Sequence, residues 1–133
     1  EIGKAVRLRE GGDITLIANG PMVYEALEAS KILSNEGIGV AVLNMHTVKP
    51  IDTEAVLNAA STTKAIITIE EHNIFGGLGS AVLEVLKGGH TCPVEIIGIP
   101  DVFPIIGPTD ELRKYYGLHY ENIVNKVRNI LEK

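Results

Sequence analysis

Residues 66–82 read IITIEEHNIFGGLGSAV and give the clearest structural signal in the chain. Four β-branched residues lead into Glu70, Glu71 and His72, and a Gly-Gly-x-Gly turn at residues 76–79 then opens an amphipathic stretch. This order predicts a buried strand, a polar loop and the start of a helix. Because working faces of α/β domains lie where strands end, any function of the chain's own is expected at this junction.

The same strand-then-helix order recurs along the chain. Strands are predicted at residues 13–18, 38–43, 65–69 and 94–99. The first helix is predicted to start at Asn19-Gly20-Pro21, with proline in its first turn, and to end at Gly37. The other helices are predicted over residues 53–60 with Asp52 as cap, over 77–86, from Pro108 or Thr109 to Gly117, and over 120–131. Repeated strand-helix-strand units favour parallel pairing through right-handed crossovers, so a layered α/β/α fold is expected.

A short leading strand is predicted at residues 5–9, where apolar and polar residues alternate weakly. Glu10-Gly11-Gly12 separates it from the strand at 13–18, and glycine readily adopts positive φ. Local turn chemistry therefore predicts a hairpin between these two strands.

Composition limits the class of protein. The 133 residues suit one domain spanning residues 1–133, and 45% hydrophobic with 22% charged residues is ordinary for a globular protein. The net charge of −5 comes from interspersed acids and bases without a basic stripe, which argues against nucleic acid as a partner. No apolar run approaches the roughly 20 residues that span a bilayer, so no membrane partner is expected.

The cysteine count and the N-terminus bear on location. Cys92 is the only cysteine, which excludes an internal disulfide and a cysteine-based zinc site and favours a reducing compartment, the cytoplasm. Residues 1–4 lack the apolar core of a signal peptide. The chain begins with Glu1 rather than methionine, which suggests a piece of a longer protein.

Glu70 and Glu71 are adjacent, so on an extended backbone their side chains point to opposite faces and suit a cooperating acid–base pair poorly. One interpretation is that one of them binds a ligand or a neighbouring domain. The other is that a carboxylate accepts the free N–H groups of the turn at 76–79, a charged hydrogen bond worth about 1.5–3 kcal/mol. The second is simpler, and replacing Glu71 by Gln tests it if Glu71 caps the turn at Gly76.

The glycines and histidines give weaker functional signals. Gly76 and Gly77 could approach a phosphate, but neither a dinucleotide fingerprint nor a P-loop is present, and tight strand-to-helix packing explains them as well. The four histidines lack metal-binding spacing, so no metal site is predicted. His72 is the histidine to test first, because a neighbouring carboxylate can raise its pKa. No catalytic residue and no cofactor-binding residue is assigned.

Several segments together resemble the C-terminal domain of the transketolase family of thiamine diphosphate enzymes. They are residues 13–20, Val48-Lys49-Pro50-Ile51-Asp52, Glu70-Glu71-His72-Asn73 with Gly76-Gly77-Leu78-Gly79-Ser80, and Gly98-Ile99-Pro100-Asp101 followed by Tyr116-Gly117-Leu118. The resemblance implies a three-layer α/β/α domain with a mixed five-stranded sheet whose first strand is antiparallel to the rest. It places that first strand beside the third, and we adopt this topology over the local hairpin because a diglycine permits several geometries.

The resemblance also implies what the chain lacks. Family members bind thiamine diphosphate and a divalent metal between a pyrophosphate-binding domain, with a Gly-Asp-Gly to Asn-Asn motif, and a pyrimidine-binding domain with an activating glutamate. Neither motif occurs here. The expected partners are therefore those two domains, on the same or a separate chain, in a homodimer of the complete enzyme. The chain alone is expected to be non-catalytic, supporting domain packing and dimer assembly.

Three alternatives remain open at this point. The chain could be the same domain of a deoxyxylulose-phosphate synthase or of a 2-oxoacid dehydrogenase β subunit. It could instead be a regulatory module that binds a small ligand. The candidate ligand or domain-interface residues in every case are Asn19, Gly20, Glu70, Glu71, His72, Gly76 and Gly77. A ligand crevice is expected if the strand order reverses between the strands ending at Ala18 and Ile69.

Overall fold

A five-stranded mixed sheet forms the middle layer of the structure, a computed structural model that describes residues 1–132. The strands are β1 Val6–Arg9, β2 Ile14–Ala18, β3 Val40–Asn44, β4 Ala65–Asn73 and β5 Val94–Ile99. The helices are α1 Met22–Asn35, α2 Thr53–Thr62, α3 Leu78–Leu86, α4 Thr109–Tyr115 and α5 Tyr120–Leu131. The strand order is β1-β3-β2-β4-β5, with β1 antiparallel to β3 and every other pair parallel. The predicted fold class is confirmed.

Helices cover both faces of the sheet. On one face the buried strand residues meet α1 and α5, and on the other they meet α2 and α3. Successive residues of one strand divide between the two layers, as Leu16 and Ile17 of β2 do. A strand buried on both faces favours apolar residues at nearly every position, which explains the apolar runs in the sequence, interrupted in β2 by the buried Thr15 and in β4 by the buried Thr68.

The termini of α1 follow the predicted signals. The helix begins directly after Pro21 and ends before Gly37, which has a φ of +79°. The N–H groups of Gly37 and Ile38 donate to the carbonyls of Ser34 and Leu33, at 3.1 and 3.0 Å. This left-handed ending satisfies carbonyls that the helix itself leaves free. Of the helices in residues 1–132, none combines the length and apolar character needed to cross a membrane.

The N-terminus of α2 is tied to the start of β1 by Asp52. Its Oδ1 accepts the N–H of Ala55 at 3.1 Å, and its Oδ2 accepts the N–H of Ala5 at 2.8 Å. Burial disfavours the ionised carboxyl, but these N–H donors together with Lys4 outweigh it and hold the pKa of Asp52 below its ordinary value. The predicted cap is confirmed, and the residues before β1 are fixed beside the carboxyl end of β3.

The hairpin predicted from Gly11 and Gly12 is wrong, because β1 pairs with β3 and not with β2. Neither glycine has a positive φ. Instead, the chain crosses the start of β3 so closely that a Cβ on Gly11 would lie 2.3 Å from the carbonyl carbon of Val40. Gly12 has open space around its Cα. Close approach of two backbones, rather than a tight turn, therefore requires glycine at position 11.

Strand β4 is longer than predicted. Its apolar part was expected to end at Ile69 and to be followed by a polar loop, yet the strand continues to Asn73. Asn73 is aligned with Ile99 of β5, after an irregularity in the pairing between Ile69 and Asn73. Glu70, Glu71 and His72 therefore lie on the strand itself, and the polar-loop prediction for them is wrong.

The close approach at Gly11 predicts unequal effects for two adjacent glycines. Gly11→Ala should lower the free energy of unfolding by about 1–3 kcal/mol, because the new methyl group overlaps the Val40 backbone. Gly12→Ala should change it by less than about 0.5 kcal/mol, since nothing lies near its Cα. Urea denaturation of both variants measures the difference, and equal effects would contradict the close-approach explanation.

Candidate functional site

The strand order reverses between β2 and β4. From β2 the chain passes through α1 to β3 on one side, and from β4 it passes through α3 to β5 on the other. α1 and α3 lie on opposite faces of the sheet, and Ala18 is aligned with Ile69 where the two strands run side by side. Loops that leave in opposite directions open a crevice at the carboxyl ends of the strands, as expected for a switch point.

A cleft of about 460 Å³ opens at this point. It is lined by Asn19, Pro21, Val48, Glu70, Glu71, His72, Gly76, Gly77 and Leu78. Of the seven predicted site residues it brings together all but Gly20, which lies exposed between two lining residues with a φ of +54°. A second cleft of about 510 Å³, between α2 and α3, shares Val48, Gly76 and Gly77 with the first.

Glu70 is the buried carboxylate of this cleft, with only 3% of its surface exposed. Its Oε1 accepts the N–H of Gly79 at 3.4 Å, in the first turn of α3. A Cβ on Gly77 would lie 2.2 Å from the same oxygen. The missing side chain at Gly77 thus makes room for the carboxylate, whose negative charge is favourable beside a helix N-terminus.

Glu71 faces the opposite way and binds α4. Its Oε1 accepts Nε of Arg113 at 3.2 Å and its Oε2 accepts Nη2 at 3.0 Å, which raises the pKa of the guanidinium. The N–H of Gly76 donates to Oγ of Ser80 at 2.8 Å. The assignment of Glu71 to the glycine turn is therefore wrong, because Glu70 and Ser80 serve the turn and Glu71 joins two elements on the other face.

His72 and Asn73 complete the end of β4. The exposed His72 has its Nδ1 2.7 Å from the carbonyl oxygen of Asn73, so this nitrogen carries the proton of that hydrogen bond. Asn73 accepts the N–H of Phe75 and donates to Oδ1 of Asp101, both at 2.9 Å. Asn73 thereby connects the loop after β4 with the loop after β5.

Comparison with known proteins identifies the family of this chain. The sequence model of the transketolase C-terminal domain matches residues 3–123. The chain belongs to the transketolase C-terminal domain family. The predicted resemblance is confirmed over nearly the whole length.

Relatives of this transketolase C-terminal domain include enzymes of two kinds. It is 48% identical to the 6-deoxy-6-sulfo-D-fructose transketolase subunit SqwH of a Clostridium species, over 99% of the chain and 41% of that relative. It is 43% identical to the 1-deoxy-D-xylulose-5-phosphate synthase of Heliobacterium modesticaldum, over 98% of the chain and 20% of that relative.

A solved structure is also similar. A chain of a split-gene transketolase, described as an inactive beta4 tetramer, superposes with a TM-score of 0.89 at 42% identity. The superposition covers 99% of this chain and 42% of the other. The chain thus spans about two fifths of the split transketolase subunits it matches, and one fifth of the synthase.

The donor groups of this transketolase C-terminal domain do not fit thiamine diphosphate. The resemblance implies that a divalent metal accompanies the diphosphate in this family, and such a metal takes oxygen ligands. Within residues 1–132 no three His, Cys, Asp or Glu side chains are grouped to hold a metal ion. Glu70, the one buried carboxylate of the cleft, already lies against Gly77 and accepts the N–H of Gly79.

Two residues that join neighbouring elements at the carboxyl end of the sheet, Arg113 and Asn73, were not predicted from the sequence of this transketolase C-terminal domain. Arg113 is 42 residues from Glu71 in the chain, so no local sequence pattern reveals the pair. Asn73 was noted only as part of the family motif. Its position directly after three polar residues at a strand end was the available signal for a role in joining loops.

The contact between Gly77 and Glu70 predicts non-additive stabilities. Gly77→Ala alone should lower the free energy of unfolding by about 1–3 kcal/mol, because its methyl group overlaps the carboxylate. In a Glu70→Ala background the same substitution should cost less than about 1 kcal/mol, since the overlap is gone. A double-mutant cycle by urea denaturation measures this coupling. Additive effects would show that Glu70 does not occupy the space above Gly77.

Proposed function

We propose that this chain is the C-terminal domain, residues 1–133, of a transketolase-type enzyme that transfers ketol groups between sugar phosphates. Two observations support this proposal. The model of the transketolase C-terminal domain matches residues 3–123 of this chain, and the transketolase relatives are more than twice as long as the chain. On this proposal the chain is non-catalytic alone and contributes domain packing and dimer assembly.

The chemistry then belongs to the rest of the enzyme. On this proposal thiamine diphosphate and its divalent metal are held by the pyrophosphate- and pyrimidine-binding domains. In support, residues 1–132 group no three His, Cys, Asp or Glu side chains that could hold a metal ion. These domains lie on the same chain or on a separate one, as a split transketolase would have them. The complete enzyme is proposed to be a homodimer. The single cysteine, Cys92, is compatible with the reducing cytoplasm.

The branch of the family to which the chain belongs is the second part of this proposal. Identities of 48% and 44% to two transketolase subunits stand beside 43% and 47% to two synthases. We favour ketol transfer because Glu70-Glu71-His72-Asn73 with the glycine turn resembles transketolase-type members. The synthesis of 1-deoxy-D-xylulose 5-phosphate and the dehydrogenase β-subunit role are the alternatives.

Reconstitution tests the proposal. The purified chain is mixed with the separately expressed cofactor-binding domains of the same enzyme, and ketol transfer, deoxyxylulose-phosphate synthesis and thiamine diphosphate uptake are measured. We expect ketol transfer only from the mixture, rising with added chain until the two components are equimolar. Turnover, or tight uptake of thiamine diphosphate, by the chain alone would contradict the proposal. Synthase activity of the mixture would move the chain to the other branch.

A second candidate function is a regulatory module that binds a small ligand. The cleft of about 460 Å³ supports it, because it opens at a switch point and carries the exposed imidazole of His72. Its volume lies within the range of small-molecule sites. Gly77→Val is a poor test of this function, since the added side chain would strike Glu70 and destabilise the domain directly.

His72→Ala offers a cleaner test of ligand binding. If sugar phosphates or nucleotides bind in the cleft, NMR titration of the chain should give saturable shifts around His72 and Asn19, and His72→Ala should weaken binding by about tenfold, as expected for one lost charged hydrogen bond. His90→Ala is the matched control, because His90 is also exposed but lies after α3, outside the cleft lining. Shifts that are unaffected by His72→Ala, or no shifts at all, would contradict this function.

A further inference from the structure

Large apolar side chains are exposed along one edge of the sheet, the edge at which the parallel strands end. Five of them have more than 60% of their surface exposed and lie in the segment before β1, in the first turn of α1, or in the loops after β4 and β5. We call this set the apolar edge: Ile2, Tyr24, Phe75, Phe103 and Ile106. Single exposed apolar residues are normal, whereas a group of them at one edge marks an interaction surface.

The loop after β5 is the most exposed part of the apolar edge. Phe103 is 99% exposed and Ile106 is 103% exposed, as they would be in an extended peptide. Every residue from 101 to 110 is exposed. Burying one such side chain stabilises a protein by about 1.5–3 kcal/mol, so leaving both in water is unfavourable unless another surface covers them.

Hydrogen bonds nevertheless attach this loop to the rest of the domain at two points. The N–H of Ile105 donates to Oη of Tyr116 at 2.9 Å, and Asp101 at the start of the loop accepts Nδ2 of Asn73. The helix that follows is joined to β4 by the paired hydrogen bonds between Arg113 and Glu71. Phe103 and Ile106 thus lie on a segment that is held at two points, and a segment held in place loses less entropy when a partner binds.

The position of the first residues indicates which partner would cover this edge. Because β1 is antiparallel to β3, the segment before it lies at the carboxyl end of the sheet, where the N–H of Ala5 donates to Asp52. On the proposed function, the preceding domains join this domain through this segment, because the matching family is a C-terminal domain. They therefore meet the sheet at the edge that carries the exposed apolar residues.

We propose that the apolar edge is the surface that docks on the cofactor-binding domains of the same enzyme, with Phe103 and Ile106 as its central contacts. This inference rests on the proposed function, since it assumes that such domains accompany the chain. It adds the surface by which they are bound. Glu71 and Arg113 act as positioning residues, because they hold the helix behind the loop.

Two exposed positions on the loop and one elsewhere provide the test. Phe103→Ser and Ile106→Ser are compared with Leu83→Ser, which removes an exposed apolar side chain of α3 outside the apolar edge. The affinity of each purified chain for the separately expressed cofactor-binding domains is measured by calorimetry. We expect the Kd to rise about 30-fold for each loop variant, as for buried interface side chains, and to stay within about twofold for the control.

The stability of each variant is measured in parallel. Phe103 and Ile106 lie almost wholly in solvent, so the melting temperatures of their variants should equal that of the unmodified chain. A Kd increase at unchanged melting temperature then reports the interface and not misfolding. Activity lost by the loop variants at low concentration should return when the chain is added in excess.

The experiment distinguishes failure of the docking assignment from failure of the proposed function. If the unmodified chain binds the cofactor-binding domains and both loop variants bind equally well, the docking assignment is overturned while the proposed function stands. If the unmodified chain does not bind them at all, the proposed function fails as well. If sedimentation shows that the chain alone self-associates and Phe103→Ser abolishes this, a second copy covers the edge and the assignment to cofactor-binding domains is overturned.

Discussion

Pairing of β2 with β4 is the constraint on which the rest of the structure depends. The two strands are aligned from Ile14 with Ala65 to Ala18 with Ile69, and both are buried along this length. Because their following helices leave to opposite faces, this pairing creates the cleft and brings Asn19 beside Glu70. A one-residue shift of β4 would exchange its two faces, and Glu70 would then point away from α3.

The end of β4 uses the alternation of a strand to serve both faces at once. Glu70 points to the α3 face, where Gly77 leaves it space, and Glu71 points to the other, where it binds Arg113 of α4. The first arrangement is buried, so the charge depends on nearby N–H groups. The second is partly exposed and is worth about 1 kcal/mol or less, so its contribution is to orient α4 more than to stabilise the fold.

Sequence alone was sufficient where one local signal determined the outcome. The strand predicted at 94–99 is β5 residue for residue, Asp52 caps α2, and Gly37 follows the end of α1. Sequence alone was insufficient where contact with a distant segment determines the local structure. Glu70 and Glu71 read as loop residues, but pairing at Asn73 with β5 keeps the strand going.

The diglycine shows the same limit. Local sequence indicates that Gly11 is a turn residue, whereas glycine is required there because the backbone of Val40 lies so close. Only the topology implied by the family resemblance placed β1 correctly, beside β3. For the candidate site, sequence grouped most of the cleft residues because they follow neighbouring strand ends. The sequence alone could not pair Glu71 with Arg113, because a single sequence does not indicate which charged side chains meet when they are 42 residues apart.

The helical layer formed by α1 and α5 has a consequence for synthesis. The N–H of Tyr120 donates to Oε2 of Glu25 at 2.8 Å, and Ile123 and Val127 of α5 join the core that α1 lines. Within this domain α1, the first helix in chain order, therefore waits for the last helix, α5, before the whole of its apolar side is covered. At about 5–20 residues per second this delay is on the order of 10 seconds, during which a chaperone has time to bind the nascent chain.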